Sequence, residues 1–92
     1  MASYTNDKKA IVIELIDTYT RDTLDNYARA SVREVALSTM NKGLSAIEVA
    51  DSVFDYIETN HCGNVTMAAA CKQICPKSVL MVLRNEIIKA IN

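Results

Sequence analysis

The chain reads as an all-α protein, a small helical domain of four or five helices. Three observations predict this. Only Gly43, Gly63 and Pro76 interrupt 92 residues that are otherwise rich in Ala, Leu, Ile, Glu and Lys, a composition that favours helix. Apolar residues recur three and four apart through most of the chain. Capping residues and glycines fall where that spacing changes. Half of the residues are hydrophobic, enough for one core and one domain over 1–92, near the small end of what folds without disulfides or metal.

Residues 1–6 are polar. From Asp7 onward Ile11, Leu15 and Tyr19 recur at four-residue spacing with Val12 and Ile16 alongside, opposite Lys9, Glu14 and Asp17. That stripe predicts a helix over 7–20. Thr18, Thr20 and Thr23 weaken helix propensity, and Asp22 or Thr23 is suited to cap a new start. Residues 7–41 are therefore one long helix or two shorter ones, the second over 23–41. Its apolar side is Leu24, Ala28, Val32 and Val35, widened by Tyr27 and Ala36. Gly43, just past Asn41, is placed for a left-handed stop.

Ser45 and Glu48 make a capping box, in which each side chain satisfies a backbone donor at the other's position. It opens an amphipathic helix over 45–60. Ala46, Val49, Ala50, Val53, Phe54 and Ile57 form its buried face, and Glu48, Asp51, Asp55 and Glu58 stack into an acidic ridge on the other side. The ridge is either a dock for a basic partner or an ordinary solvated helix face. Asn64 or Thr66 then caps a short Ala-rich helix over 65–73, and Pro76 suits the first position of a last helix reaching residue 90.

The stretch from Gly63 to Arg84, GNVTMAAACKQICPKSVLMVLR, has the outline of a helix-turn-helix over 64–90. Gly63, Asn64, Thr66, Ala68, Ala69, Ile74 and Leu83 fall, without gaps, on the pattern of the DNA-binding end of the factor-for-inversion-stimulation family, which this stretch resembles. The helix-turn-helix segments of phage small-terminase proteins are similar. The resemblance covers about a quarter of the chain. It implies a dimer built on a long helix pair and a terminal helix-turn-helix that docks on double-stranded DNA. Ala68 and Ala69 would let the first helix of the motif cross the second, with Ile74 plugging the turn. Lys77, Ser78 and Met81 would then face the major groove, Asn64, Thr66 and Lys72 would lie near phosphates, and Arg84 would add electrostatic affinity. Charge is consistent with this. Residues 1–60 carry six basic and ten acidic side chains, net -4, whereas residues 61–92 carry four basic and one acidic, net +3, a pointer to an acidic partner for the C-terminal part.

The stretch also departs from that pattern. Gln73 stands at the turn position of a family Gly, Pro76 at a usually basic position, and Leu80, Met81 and Val82 where the family is basic. Val79 to Leu83 is an unbroken apolar run, extended by Ile87, Ile88 and Ile91, so the last helix is expected to be buried all round. Two functions follow. One is a small non-enzymatic regulator, a dimeric helix-turn-helix DNA-binding protein. The other is a protein-interaction module, such as a phage or mobile-element inhibitor of a host protein. It would bind through Leu80, Val82 and Ile87 of the apolar C-terminal helix or through the ridge of Glu48, Asp51, Asp55 and Glu58.

Other chemistry is set aside. The single His61 accompanies no nucleophile motif and no Gly-rich loop cradles phosphate, so no enzyme is expected. His61, Cys62, Cys71 and Cys75 lack the paired short knuckles of zinc modules, so neither a metal nor a cofactor is expected. The four tyrosines read as amphipathic packing residues whose hydroxyls reach water. No apolar run approaches the roughly 18 residues of a membrane span, and the N-terminus lacks a signal-like apolar region. A cytoplasmic location follows, and the apolar excess of the first and last helices predicts a homodimer.

Overall fold

The structure, a computed structural model, describes residues 3–62 and 77–92. Within them the chain forms four α-helices and no strand: α1 (Asn6–Thr20), α2 (Asn26–Asn41), α3 (Ala46–Ile57) and α4 (Lys77–Ile91), with a π-helical turn, Glu58–Cys62, continuing α3. The protein is a small all-α domain. The helix expected over 65–73, and with it the turn of a helix-turn-helix, lies outside the described residues. None of the helices described is long and apolar enough to cross a membrane.

Residues 7–41 form two helices. Thr5 caps α1, its side chain accepting from the Lys8 N–H at 3.2 Å. At the other end the N–H groups of Thr23 and Leu24 both donate to the Thr20 carbonyl, at 3.2 and 2.9 Å. This turn ends α1 and folds Leu24 into the core. It also displaces the start of α2: the cap is Asp25, in extended conformation with its carboxylate accepting from the Ala28 N–H at 2.8 Å, and not Asp22 or Thr23. Helix α2 ends in a Schellman motif. Gly43 has φ 76°, the left-handed geometry that costs a Cβ-bearing residue, while Gly43 N–H donates to Met40 O at 3.0 Å and Leu44 N–H to Thr39 O at 3.3 Å. Leu44 packs on the core beside this cap. Both halves of the Ser45–Glu48 capping box are present, at 3.3 and 3.0 Å.

Short connections make α1, α2 and α3 antiparallel in turn. Helix α4 packs between α3 and α1, and the diagonal pairs α1/α3 and α2/α4 do not adjoin. Its direction follows from two contacts. Lys77 at its start pairs with Glu58 past the end of α3, and Lys8 near the start of α1 donates to Ile91 O at its end. The result is an up-down-up-down four-helix bundle with one core. That core holds Val12 and Ile16 from α1, Val32, Ala36 and Met40 from α2, Val49, Val53 and Ile57 from α3, and Leu80, Leu83, Ile87 and Ile91 from α4.

Three expectations change. In α1 the inward row is Val12, Ile16 and Thr20, while Ile11 is exposed and Leu15 and Tyr19 only flank the core. Thr20 enters because its hydroxyl donates to the Ile16 carbonyl at 2.6 Å, which removes the cost of burying it. Helix α4 is not buried all round, since two neighbouring helices cover only one side of it and leave Met81 and Val82 exposed. Nor do the tyrosines share one role. Tyr27 stands almost fully in solvent, and the Tyr4 hydroxyl donates to the Leu44 carbonyl. Burial, and then the charge of Glu48, hold the Tyr4 phenol above its usual pKa.

Candidate interaction face

Of the residues that the two functional readings select, Asp51, Asp55, Glu58, Lys77, Met81 and Arg84 fall on one face of the bundle. On α3 the acidic row does not point straight away from the core. Asp51 and Glu58 are half-buried on the flank next to α4, where Asp51 Oδ1 accepts from Arg84 Nε at 2.5 Å and Glu58 Oε2 lies 3.6 Å from Lys77 Nζ. Asp55 is exposed between them, and Glu48 is held at the helix start by the capping box. The ridge is therefore one wall of the α3/α4 seam.

Both ion pairs obey one register. Asp51 and Glu58 are seven residues apart, as are Lys77 and Arg84, so side chains along the seam meet at fixed antiparallel heights. That register sets Phe54 opposite Met81 and Ile47 opposite Ile88. Ile47 and Met81 are 55% and 53% exposed, and Phe54 and Ile88 pack only partly against the core. Two apolar rungs thus alternate with two ionic ones: Glu58 with Lys77, Phe54 with Met81, Asp51 with Arg84, Ile47 with Ile88. Successive rungs are three or four residues apart, about one helical turn or 5 Å. The charges of the face are acidic along α3 and basic along α4, and apolar rungs alternate with them.

No protein-family model, curated protein or solved structure matches the chain, and the face is read from its own residues. Of the residues selected for DNA, Lys77, Ser78 and Met81 lie together on the exposed side of α4, while Arg84 is half-buried against Asp51. Asn64, Thr66 and Lys72 lie outside the described residues. Of those selected for a protein partner, Asp51, Asp55 and Glu58 line the face, with Glu48 at its edge. Leu80 and Ile87 do not line it. They are 1% and 0% exposed, because the three- and four-residue spacing that joins them to Leu83 and Ile91 is the inward row of α4. Val82 is exposed but sits roughly 100° round the helix from Met81, towards the flank that packs on α1.

Sequence reasoning missed Ile47, Phe54 and Ile88 as surface-forming residues. Ile47 carries a readable signal: it lies beside Ala46 and outside the inward set of Ala46, Val49, Ala50, Val53 and Ile57. Spacing places Phe54 with that inward row, yet it lies at its edge and is half-buried. Among the described residues no three His, Cys, Asp or Glu side chains gather as metal ligands. Cys71 and Cys75 are outside those residues.

Proposed function

We propose that the chain is a small non-enzymatic interaction module that binds a protein partner through the α3/α4 face. The observation that carries this reading is the pairing of Arg84 with Asp51 and of Lys77 with Glu58 beside the exposed Ile47 and Met81. Affinity for duplex DNA comes chiefly from cations that neutralise phosphates. Here Arg84 and Lys77 each face a carboxylate, and with Asp55 added the described residues of the face carry three acids against two bases. A net negative face repels a polyanion. Apolar rungs that alternate with ionic ones suit protein surfaces, where exposed apolar side chains supply the driving force and charges set orientation.

The reading as a dimeric helix-turn-helix regulator keeps one observation in its favour, the joint exposure of Lys77, Ser78 and Met81. Fluorescence anisotropy with labelled duplex at low salt separates the two readings. No binding is expected with protein in excess, and affinity that falls steeply as salt is added would overturn the proposal. A second measurement replaces Met81, or Glu14 on the exposed side of α1, with a photo-crosslinking amino acid in cells that produce the protein. Protein adducts are expected from position 81 and not from position 14. Equal yields from both would count against the face.

A further inference from the structure

The α3/α4 face is close to self-complementary, and we infer that the partner it takes is a second copy of this chain, with α3 of one copy lying on α4 of the other. This rests on the reading of the face as a protein-binding surface and adds the occupant and its orientation.

A surface that meets its own copy about a two-fold axis offers two arrangements, because the axis lies in the plane of contact. An axis across the helices lays α3 on the partner copy's α3 and α4 on its α4. With the axis midway between the ionic rungs, acid then meets acid, Asp51 against the second copy's Glu58, and base meets base, Lys77 against its Arg84. An axis along the helices lays α3 on the partner copy's α4. Acid then meets base, and because such a rotation preserves height along the bundle, the register that joins α3 to α4 within one chain is repeated between chains. Phe54 meets Met81 and Ile47 meets Ile88 across the contact, so the apolar rungs of the two copies close on each other. Asp55 comes within one turn of the second copy's Lys77.

The exposed groups suit this role. Asp55 is exposed and forms no ion pair among the described residues, while Lys77 has a side chain 71% exposed and reaches Glu58 only at 3.6 Å, a distance and exposure at which an ion pair holds its members weakly. Lys77 can therefore accept a second carboxylate without losing a strong contact. Charge selects the orientation of the copies, and the four apolar side chains supply the attraction.

Sedimentation equilibrium of the full chain tests this. A reversible monomer–dimer equilibrium is expected, and Met81→Asp should weaken it about tenfold or more with the helical circular dichroism unchanged. Asp55→Lys and Lys77→Glu should each weaken association, and the double variant Asp55→Lys/Lys77→Glu should recover most of it, because the exchange restores opposite charges between copies. A monomer at the highest concentration the protein tolerates would overturn the inference. So would a dimer indifferent to Met81→Asp, or a double variant no better than its parents. The two proposals fail separately. A monomer whose position 81 crosslinks to a different protein removes the second copy and keeps the interaction module. A dimer that behaves as described but binds duplex with steep salt dependence removes the module and keeps the dimer.

Discussion

Two antiparallel helix pairs make up this bundle, and an arginine–carboxylate ion pair crosses each: Arg33 to Asp17 at 3.6 Å between α1 and α2, and Arg84 to Asp51 at 2.5 Å between α3 and α4. Both pairs also expose large apolar side chains. On α1 and α2 these are Ile11 and Tyr27, 42% and 85% exposed, and because each stands in the first half of its own helix while the helices run antiparallel, they lie towards opposite ends of the bundle. On α3 and α4 Val82 stands apart, whereas the exposed Ile47 and Met81 are joined through Phe54 and Ile88 into rungs of one seam. Single exposed apolar residues are ordinary on a protein surface. The α3/α4 face differs in that its exposed residues share a register with two ion pairs, and that coincidence marks it as a surface rather than a scatter of side chains.

The largest effect should come from breaking α4 on its inner side. Leu83 is 1% exposed in the row that packs on α3 and α1, and Leu83→Ala should cost about 2–5 kcal/mol. In a domain of this size that lowers Tm by on the order of 10 °C or more. Met81→Asp, two residues away, should leave Tm nearly unchanged when both proteins are held at concentrations where the chain is monomeric, while it weakens association. Thermal unfolding followed by circular dichroism checks both. Similar losses of Tm in the two variants would mean that Met81 belongs to the core and that α4 has no outer side.

A smaller effect sharpens the contrast between the two ion pairs, and its direction is opposite to what distance suggests. The Asp17 and Arg33 side chains are each about a third exposed, and Asp17 Oδ1 is buried without a hydrogen-bond partner among the described residues. Asp51 is about half exposed, so water can replace its arginine. Arg33→Ala should therefore cost about 1–2 kcal/mol, and Arg84→Ala less than about 1 kcal/mol, although the Arg84 contact is the shorter. Denaturant midpoints of the two variants decide it, and a larger loss at Arg84 would make the α3/α4 pair a structural clamp.

How much of this was legible in the sequence depended on how local the cause is. The stop at Gly43 and the start at Ser45 were readable because a few neighbouring residues make all of their hydrogen bonds. The helix break was readable as a cluster of threonines, but its cap was misplaced because Thr20 gathers two N–H donors and delays the start of α2 to Asp25. Hydropathy alone sets the inward row of α1 one position off, since it does not reveal that the Thr20 hydroxyl is satisfied by its own helix. At the site, the acidic ridge and the basic C-terminal part were both visible, as opposite charges on separate segments. That Asp51 meets Arg84 and Glu58 meets Lys77 depends on antiparallel packing of α3 on α4, which no local pattern encodes. The apolar run Val79 to Leu83 was visible too. Its division into inner Leu80 and Leu83 and outer Met81 and Val82 follows the spacing that joins the first two to Ile87 and Ile91, and having two neighbours in a bundle leaves the outer pair exposed.

The smallest effect tests the link between the two helix pairs. The Tyr4 hydroxyl, ahead of α1, donates to the Leu44 carbonyl in the loop between α2 and α3, so it ties the start of the first pair to the start of the second. Tyr4→Phe keeps the ring and removes one partly exposed hydrogen bond, a loss of about 0.5–1 kcal/mol. The variant should also alter the alkaline limb of stability. Burial and the Glu48 carboxylate raise the Tyr4 pKa in the folded chain, so folding favours the neutral phenol. That contribution is fully present below the ordinary tyrosine value of about 10 and is lost as pH rises through the higher folded value. Stability of the parent chain should therefore fall more steeply above about pH 10 than that of Tyr4→Phe, with the two curves converging at high pH. Parallel curves across that range would show that the phenol titrates as it does in the unfolded chain, and that the tie between the helix pairs contributes nothing through its proton.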